Sequence, residues 1–556
     1  MVRVRGPGVP SLPFSACFVF LTLLQQAYAR SICSILDQRT AIVGNRLFFS
    51  SGNYTFDDDM PRHNTSSLYW LYLNDTIDVS GPIDVTLLGS TDLPSDSLTG
   101  GDSPLSGGAA GTFFYDHTTL FPYAGLVGPE ADGISNALWA FDSSIESWKL
   151  VEVEGGKISF GNNSEGVHAS DPRTGSSFYT GGRTMAINGT FNGTVRFRSF
   201  NSASTPLWSF ETALNGIQGP NILKGAMVYV RKGHAGVLIT FGGYQTAYEG
   251  VEFRDFPWDR RSFSDIFIYD IFSSTWYRQT ATGDLPELRT EFCAGVSAAP
   301  DDSSFQITIH GGWDQLRGRA FNDVYVLSVP SFRWIKVDDS NNPDLQGPDQ
   351  PGRNRHKCDI WNETSLIVTG GEITSGVGNF MSLTERCNQT YPPVKVLDTS
   401  TYVWLPGIVT DVIGGTSSGG ARLRSPSSGW DSDDLACIFS HTVARDSAYL
   451  PSAPSDRNSP APSAPSEQQS SVDDSLRGSL IAGIVVGIVA AVASIVVVAL
   501  WYWQRWKRQS VAAKETPGTV TQSPHEDWHK PELDGIQRHE LGVENRVYEL
   551  SAVNPR

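Results

Sequence analysis

Seven histidines, His63, His117, His168, His234, His310, His356 and His441, precede residue 450 of this 556-residue chain. Imidazole ligates metals and moves protons near neutral pH, yet no two of these histidines stand at a metal-ligand spacing. Any metal centre would have to be assembled from distant segments. Carboxylates are too numerous to choose from: with Asp plus Glu at 59, no pair can be singled out for glycoside hydrolysis, which needs two about 5 to 9.5 Å apart. A denser constellation lies in the stretches YQTAYEGVEFRDFPWDRRSFSD and WDQLRGRAFND. They gather Tyr244, Tyr248, Phe253, Phe256, Trp258 and Trp313 with Arg254, Arg260, Arg261, Arg317 and Arg319, among Asp255, Asp259 and Asp314. Rings and guanidinium groups among carboxylates are what interface anchors and sugar-binding platforms use. The same aromatics would equally serve to pin a long loop onto its scaffold. No kinase or nucleotide motif is present, and a net charge of −17 argues against a nucleic-acid surface, which needs a basic face.

Two apolar segments frame these residues. The first follows Arg3 and Arg5, runs through FSACFVFLTLL and ends in Ala27-Tyr28-Ala29, which reads as a signal peptide over residues 1–29; an uncleaved anchor is the competing reading. The second, residues 478–503, is uncharged. At about 1.5 Å per residue it spans about 30 Å of hydrocarbon as one transmembrane helix. Trp501, Tyr502, Trp503 and Trp506 form an aromatic belt, followed by Arg505, Lys507 and Arg508, so the positive-inside rule predicts a type I single-pass plasma-membrane protein with its N-terminal bulk outside. Gly483 and Gly487 offer a small-residue face for a homodimer. Sequons begin at Asn53, Asn64, Asn74, Asn162, Asn188, Asn192, Asn362 and Asn388, all between the two apolar segments, where N-glycosylation is expected. Residues 446–477 are rich in Ser and Pro and read as an extended stalk. Residues 504–556 are polar, charge-balanced and without apolar period, as in a disordered cytoplasmic tail.

The elements that must position the chemistry repeat between residues 30 and 445. Gly181-Gly182, Gly242-Gly243, Gly311-Gly312 and Gly370-Gly371 each close an apolar run, and Trp148, Trp208, Trp276, Trp334 and Trp404 each follow another, as in VKVLDTSTYVW. Two further units are degenerate, one with Ser51-Gly52 and LYWLYL, the other with Ala124-Gly125. Each unit offers four short strands; in the sixth they are KCDIW, SLIVTGG, PVKVLD and YVWLP. A sheet this small cannot bury both faces alone, so the units must stack face to face. Glycine at the strand end permits close backbone approach, tryptophan fills the space between sheets, and the Asp that follows a third strand suits a tight turn.

Double glycine, then an apolar strand, then tryptophan resembles the kelch repeat of β-propellers over about residues 38–408. The resemblance implies an all-β fold: a six-bladed kelch-type propeller ectodomain on one transmembrane helix. A kelch unit needs only about 50 residues, and here the surplus falls mainly between second and third strands, on the face where binding loops gather. Sequons occupy that face on the first, third and sixth units and leave the fourth and fifth bare. Stalk and tail included, the chain is most similar to fungal kelch membrane proteins of the cell surface and wall. That implies a non-enzymatic recognition module for a protein or cell-wall glycan, with no cofactor and no metal. The alternative is a membrane-tethered relative of the galactose oxidase group, whose copper site uses tyrosine and histidine. His310 and His356 fall where kelch units place structural residues. A ring brings its ends together, so Cys33 and Cys437 form one expected disulfide and Cys358 and Cys387 another, leaving Cys293; with five cysteines other pairings stay open.

Overall fold

The computed structural model describes residues 30–408 and 425–444, apart from 58–62, 65, 75–76, 95–104, 106–109, 124–133, 136, 156–157, 160–162, 186–190, 194–196, 203–205, 211–218, 246–258, 339–350, 375–386 and 388–390. The expected signal peptide, stalk, membrane span with Gly483 and Gly487, and tail lie outside the described residues. So do Asn162, Asn188, Asn388 and the Ala124-Gly125 landmark. No helix among the described residues is long and apolar enough to cross a membrane.

Six antiparallel sheets follow one another along the chain, each with four strands in sequence order. Sheet I comprises Arg39–Val43, Arg46–Ser50, Ser67–Tyr72 and Gly89–Asp92. Sheet II comprises Thr112–Tyr115, Thr119–Tyr123, Ala137–Asp142 and Ser147–Glu152. Sheet III comprises Val167–Asp171, Ser176–Thr180, Arg198–Asn201 and Leu207–Phe210. Sheet IV is built from Ala226–Val230, Val237–Phe241, Asp265–Asp270 and Thr275–Thr280. Sheet V is built from Cys293–Ala298, Phe305–His310, Val324–Val329 and Arg333–Lys336, with Thr282–Gly283 added in parallel at its outer edge. Sheet VI is built from Lys357–Trp361, Ser365–Thr369, Val394–Asp398 and Val403–Leu405, the four strands expected of that unit. The first strands lie against one another in order from I to VI, and Lys357–Trp361 of the sixth lies against Arg39–Val43 of the first.

Alternation along a strand sorts its side chains between two neighbours rather than between core and water. In Val237–Phe241, the residues Val237, Ile239 and Phe241 join Ile307, Ile309 and Trp334 of sheet V, whereas Leu238 joins Val167, Ala169 and Phe178 of sheet III. All five residues of that strand are buried. Tryptophan does the filling. Trp334 is 0 % exposed, stands edge-on to Phe241 at 5.6 Å and Phe263 at 5.5 Å, and donates its indole N–H to the Phe263 carbonyl at 2.8 Å. Trp276 is likewise buried, against Phe197 at 5.2 Å. Trp148 lies on Phe141 at 5.1 Å, and Trp404 is only partly buried, 5.1 Å from His310. Trp208 sits in its expected fourth strand. Sheet I lacks a fourth-strand tryptophan because Trp70 of its third strand supplies the ring, and Gly89 leaves room for it: a Cβ there would meet the indole at 2.0 Å.

The double glycines join each sheet to the segment entering the next. Gly312 donates its N–H to the Arg353 carbonyl at 2.8 Å, and a Cβ on Gly311, whose φ is +65°, would lie 2.3 Å from that same oxygen. Gly182 makes the equivalent bond to Ile222 at 2.9 Å, and Gly371 to Ile35 at 2.7 Å. Glycines 181, 242, 243 and 370 share the positive φ. Turns after third strands are capped by their own aspartates, with Asp142, Asp270 and Asp398 accepting from the backbone N–H of Ser144, Ser273 and Ser400.

The disulfides differ from expectation. Cys33 pairs with Cys387 and Cys293 with Cys358, while Cys437 is a free, exposed thiol. The expected Cys33–Cys437 clasp fails because residues 425–444 do not return to the chain start. Their helix Asp433–Ser440 buries Leu435 and Phe439 against Phe332 and its neighbours in sheets IV and V. Cys33 lies instead in Ser31–Leu36, which touches Glu372–Thr374 of the sixth unit. Cys358 is taken by Cys293 because the first strands of sheets V and VI run side by side.

Candidate functional site

Just ahead of each first strand stands one residue in the left-handed region: Asp37 (φ 56°), Ala110 (57°), Glu165 (61°), Lys224 (57°), Glu291 (58°) and Arg355 (59°). Ala110 donates its N–H to the Asp37 carbonyl at 2.8 Å, Glu165 to Ala110 at 3.2 Å, Lys224 to Glu165 at 2.8 Å, Glu291 to Lys224 at 2.9 Å and Arg355 to Glu291 at 2.9 Å. Side chains reinforce this collar. Lys224 lies 3.4 Å from Glu165 and also pairs with Glu291, Arg183 bonds Glu165 at 2.8 Å, and Arg355 makes a two-point contact with Asp37, Nε to Oδ1 at 2.8 Å. Nothing in the sequence reading singled these residues out. The one available signal is weak: Ala110, Glu165 and Lys224 each precede a glycine.

A cavity of about 1100 Å³ runs between the first strands. It takes His168 from sheet III and Lys357 and Asp359 from sheet VI. Burial, helped by the charge of Lys357, pushes the His168 imidazole down to about 3. Burial also lowers the Lys357 ammonium and raises the Asp359 carboxyl to about 6 against an opposing hydrogen bond from Thr40. At neutral pH the His168 imidazole is therefore neutral.

The expected aromatic and arginine cluster is only partly within the described residues: Tyr248, Phe253, Arg254, Asp255, Phe256 and Trp258 lie outside them. Tyr244 is buried and its hydroxyl bonds Gln315. Arg260 bonds buried Asp314 at 2.9 Å and the Leu288 carbonyl at 3.1 Å. Arg261 lies over Phe267 at 4.9 Å. Tyr244 and Arg260 therefore fasten sheet IV to the segments of sheet V, whereas Arg261 packs within sheet IV. Trp313 is half-buried, and its backbone pairs with Thr290. Arg317 is exposed, bonding Asp314 at 3.1 Å and Glu287, and Arg319 lies 3.5 Å from Glu287. Around this ionic network stand three residues absent from the sequence reading: Leu316, 81 % exposed, Leu285, 44 %, and Leu288, 37 %. Exposed leucines are individually ordinary, which is why sequence gives no signal; Leu316 adjoins Arg317 along the chain, and Leu285 and Leu288 flank Glu287.

Of the histidines, His310 and His356 meet, Nδ1 to Nε2 at 3.1 Å. Both are buried, and Trp404 stacks edge-on to His310. His356 immediately precedes the first strand of sheet VI rather than lying on it. Of the sequon asparagines, Asn74 is exposed in a turn, Asn53 and Asn362 are half-buried, and Asn64 and Asn192 lie in short strands.

No family model matches the chain. The chain is similar to the solved structure of YjhT, at 13 % identity and a TM-score of 0.41, with 67 % of this chain and 97 % of that one covered. By sequence the chain is similar to a kelch repeat-containing protein of Arthroderma benhamiae, 27 % identical over 420 residues, or 67 % of this chain. The likeness that the double glycines and tryptophans carry is thus to a fungal kelch repeat-containing protein, and the chain spans 57 % of that relative's length.

Proposed function

We propose that the six sheets close into a kelch-type propeller, and that this propeller is a non-enzymatic recognition module for a protein partner. The collar supports closure, since the Arg355 and Asp37 contact joins residues 318 apart in sequence. The observation that carries recognition is the patch on the connections of sheets IV and V. Leu285, Leu288 and Leu316 stand exposed around the Arg317–Glu287 pair, and apolar anchors ringed by charge suit a protein surface. A glycan would call for exposed aromatic faces, and among the described residues Trp313 is a half-buried ring there. In this reading a signal peptide exports the chain, residues 446–477 lift the propeller from the plasma membrane, residues 478–503 span it once, and Gly483 and Gly487 pair two helices. The copper-oxidase alternative would set a tyrosine beside the paired histidines; the ring stacked there is Trp404.

The test is crosslinking at the cell surface with wild type and a Leu288→Asp/Leu316→Asp variant. A partner captured by wild type and lost from the variant, at unchanged stability, is the expected outcome. Retention on wall polysaccharide that the variant keeps would replace the protein partner with a glycan.

A further inference from the structure

The Cys293–Cys358 pair does not stand alone. The sulfurs of these two residues and an imidazole nitrogen of His356 all lie within 4.8 Å of one another, and all three residues line the central cavity. The His356 ring is fixed from behind, because its Nε2 lies 3.1 Å from the His310 carbonyl. A histidine that donates one ring N–H to a backbone carbonyl presents the lone pair of its other nitrogen, which is how metal-binding histidines are oriented. That other nitrogen, Nδ1, is buried, and the Asn354 backbone also hydrogen-bonds the ring. His310 itself is the cross-strand neighbour of Cys293, so the support of the ring and one of the two sulfurs arrive from the same pair of strands.

We propose that Cys293, Cys358 and His356 form a redox-gated site for a borderline-to-soft divalent cation such as zinc, with its fourth position open to the cavity. In the oxidised state the sulfurs bond to each other and staple sheet V to sheet VI. A dithiol reductant delivers two electrons and two protons, the S–S bond breaks, and the reductant leaves as its own disulfide. The cation then displaces both thiol protons and binds two thiolates and one neutral imidazole, a ligand set that suits zinc. The metal replaces the covalent staple, so the two first strands stay joined in either state. This inference is independent of the proposed recognition function.

The experiment uses the full-length chain, reduced with a dithiol, freed of reductant and titrated with cobalt(II) as a spectroscopic stand-in for zinc. Expected are uptake of one cobalt per chain, thiolate-to-cobalt charge-transfer absorption with the visible bands of a tetrahedral ion, and their displacement by zinc. Alkylation mapped by mass spectrometry separates this pair from the other thiols: zinc should slow labelling of Cys293 and Cys358 at least tenfold and leave Cys437 unaffected, and a chelator should restore it. A Cys293→Ser/Cys358→Ser variant should lose the absorption, and His356→Gln should weaken binding at least tenfold with both sulfurs still present. Absence of cobalt uptake, uptake that survives the double serine variant, or unchanged labelling of Cys293 and Cys358 in zinc would each overturn the assignment.

Discussion

The repeat makes the tryptophans look equivalent; their surroundings make them unequal. Trp334 is fully buried, touches two phenylalanines of sheet IV and donates a hydrogen bond to the Phe263 carbonyl. Truncating so large a core side chain costs about 3 to 5 kcal/mol through lost burial and the remaining cavity. Its indole bond contributes about 1 kcal/mol more, because the carbonyl is left buried and unpaired. Trp404 holds the same place in its unit but is partly exposed, with Lys395 over its ring at 4.4 Å, so its truncation should cost only about 1 to 2 kcal/mol. Against a total of about 5 to 15 kcal/mol, Trp334→Ala should leave the stacked sheets barely folded while Trp404→Ala is tolerated. Urea unfolding followed by far-UV circular dichroism reads the difference, and Trp334→Phe should fall between them. Equal midpoints for the two alanine variants, or a loss below about 2 kcal/mol at Trp334, would refute the inference that these rings are the packing between sheets.

Other expectations concern the cavity, the collar and the glycine pairs. Asp359 has its folded carboxyl raised to about 6 from about 3.9 unfolded. Protonated, it costs nothing, so its contribution is fully present below the unfolded value and is lost as pH rises through 6. Asp359→Asn should therefore exceed wild type in stability at pH 7 by up to about 3 kcal/mol, with the gap closing toward pH 4; a pH-independent difference would contradict this. His168, held down to about 3, works oppositely and destabilises as pH falls below about 6.5, so the two effects are separated only by the difference between variant and parent. Across the collar, a double-mutant cycle of Asp37→Asn and Arg355→Met should give a coupling of about 0.5 to 2 kcal/mol, discounted because Arg355 is partly open to solvent; no coupling would mean the contact does not hold the two segments together. Gly311→Ala should destabilise by more than about 1 kcal/mol, since both the positive φ and the Arg353 carbonyl oppose a Cβ, and thermal unfolding would show it.

The sequence by itself determined the repeat, the four-strand unit and the positions of the glycine pairs and fourth-strand tryptophans. Those signals are local: an apolar alternation, a turn and a ring recur within one unit, where a single strand period already dictates which residues face a neighbour. It also marked Arg260, Asp314 and Arg317, which do meet, but not the split between fastening and exposed residues, nor the leucines beside them. Tertiary structure decided everything that needs two or more units at once. Which cysteines pair depends on where Ser31–Leu36 and the helix Asp433–Ser440 are carried. The collar takes one residue from each of six distant segments, and the shifted titrations of His168 and Asp359 arise because their strands converge on one cavity. Proximity across hundreds of residues leaves no periodic trace in the chain, so desolvation and pairing are readable only once the sheets are in place.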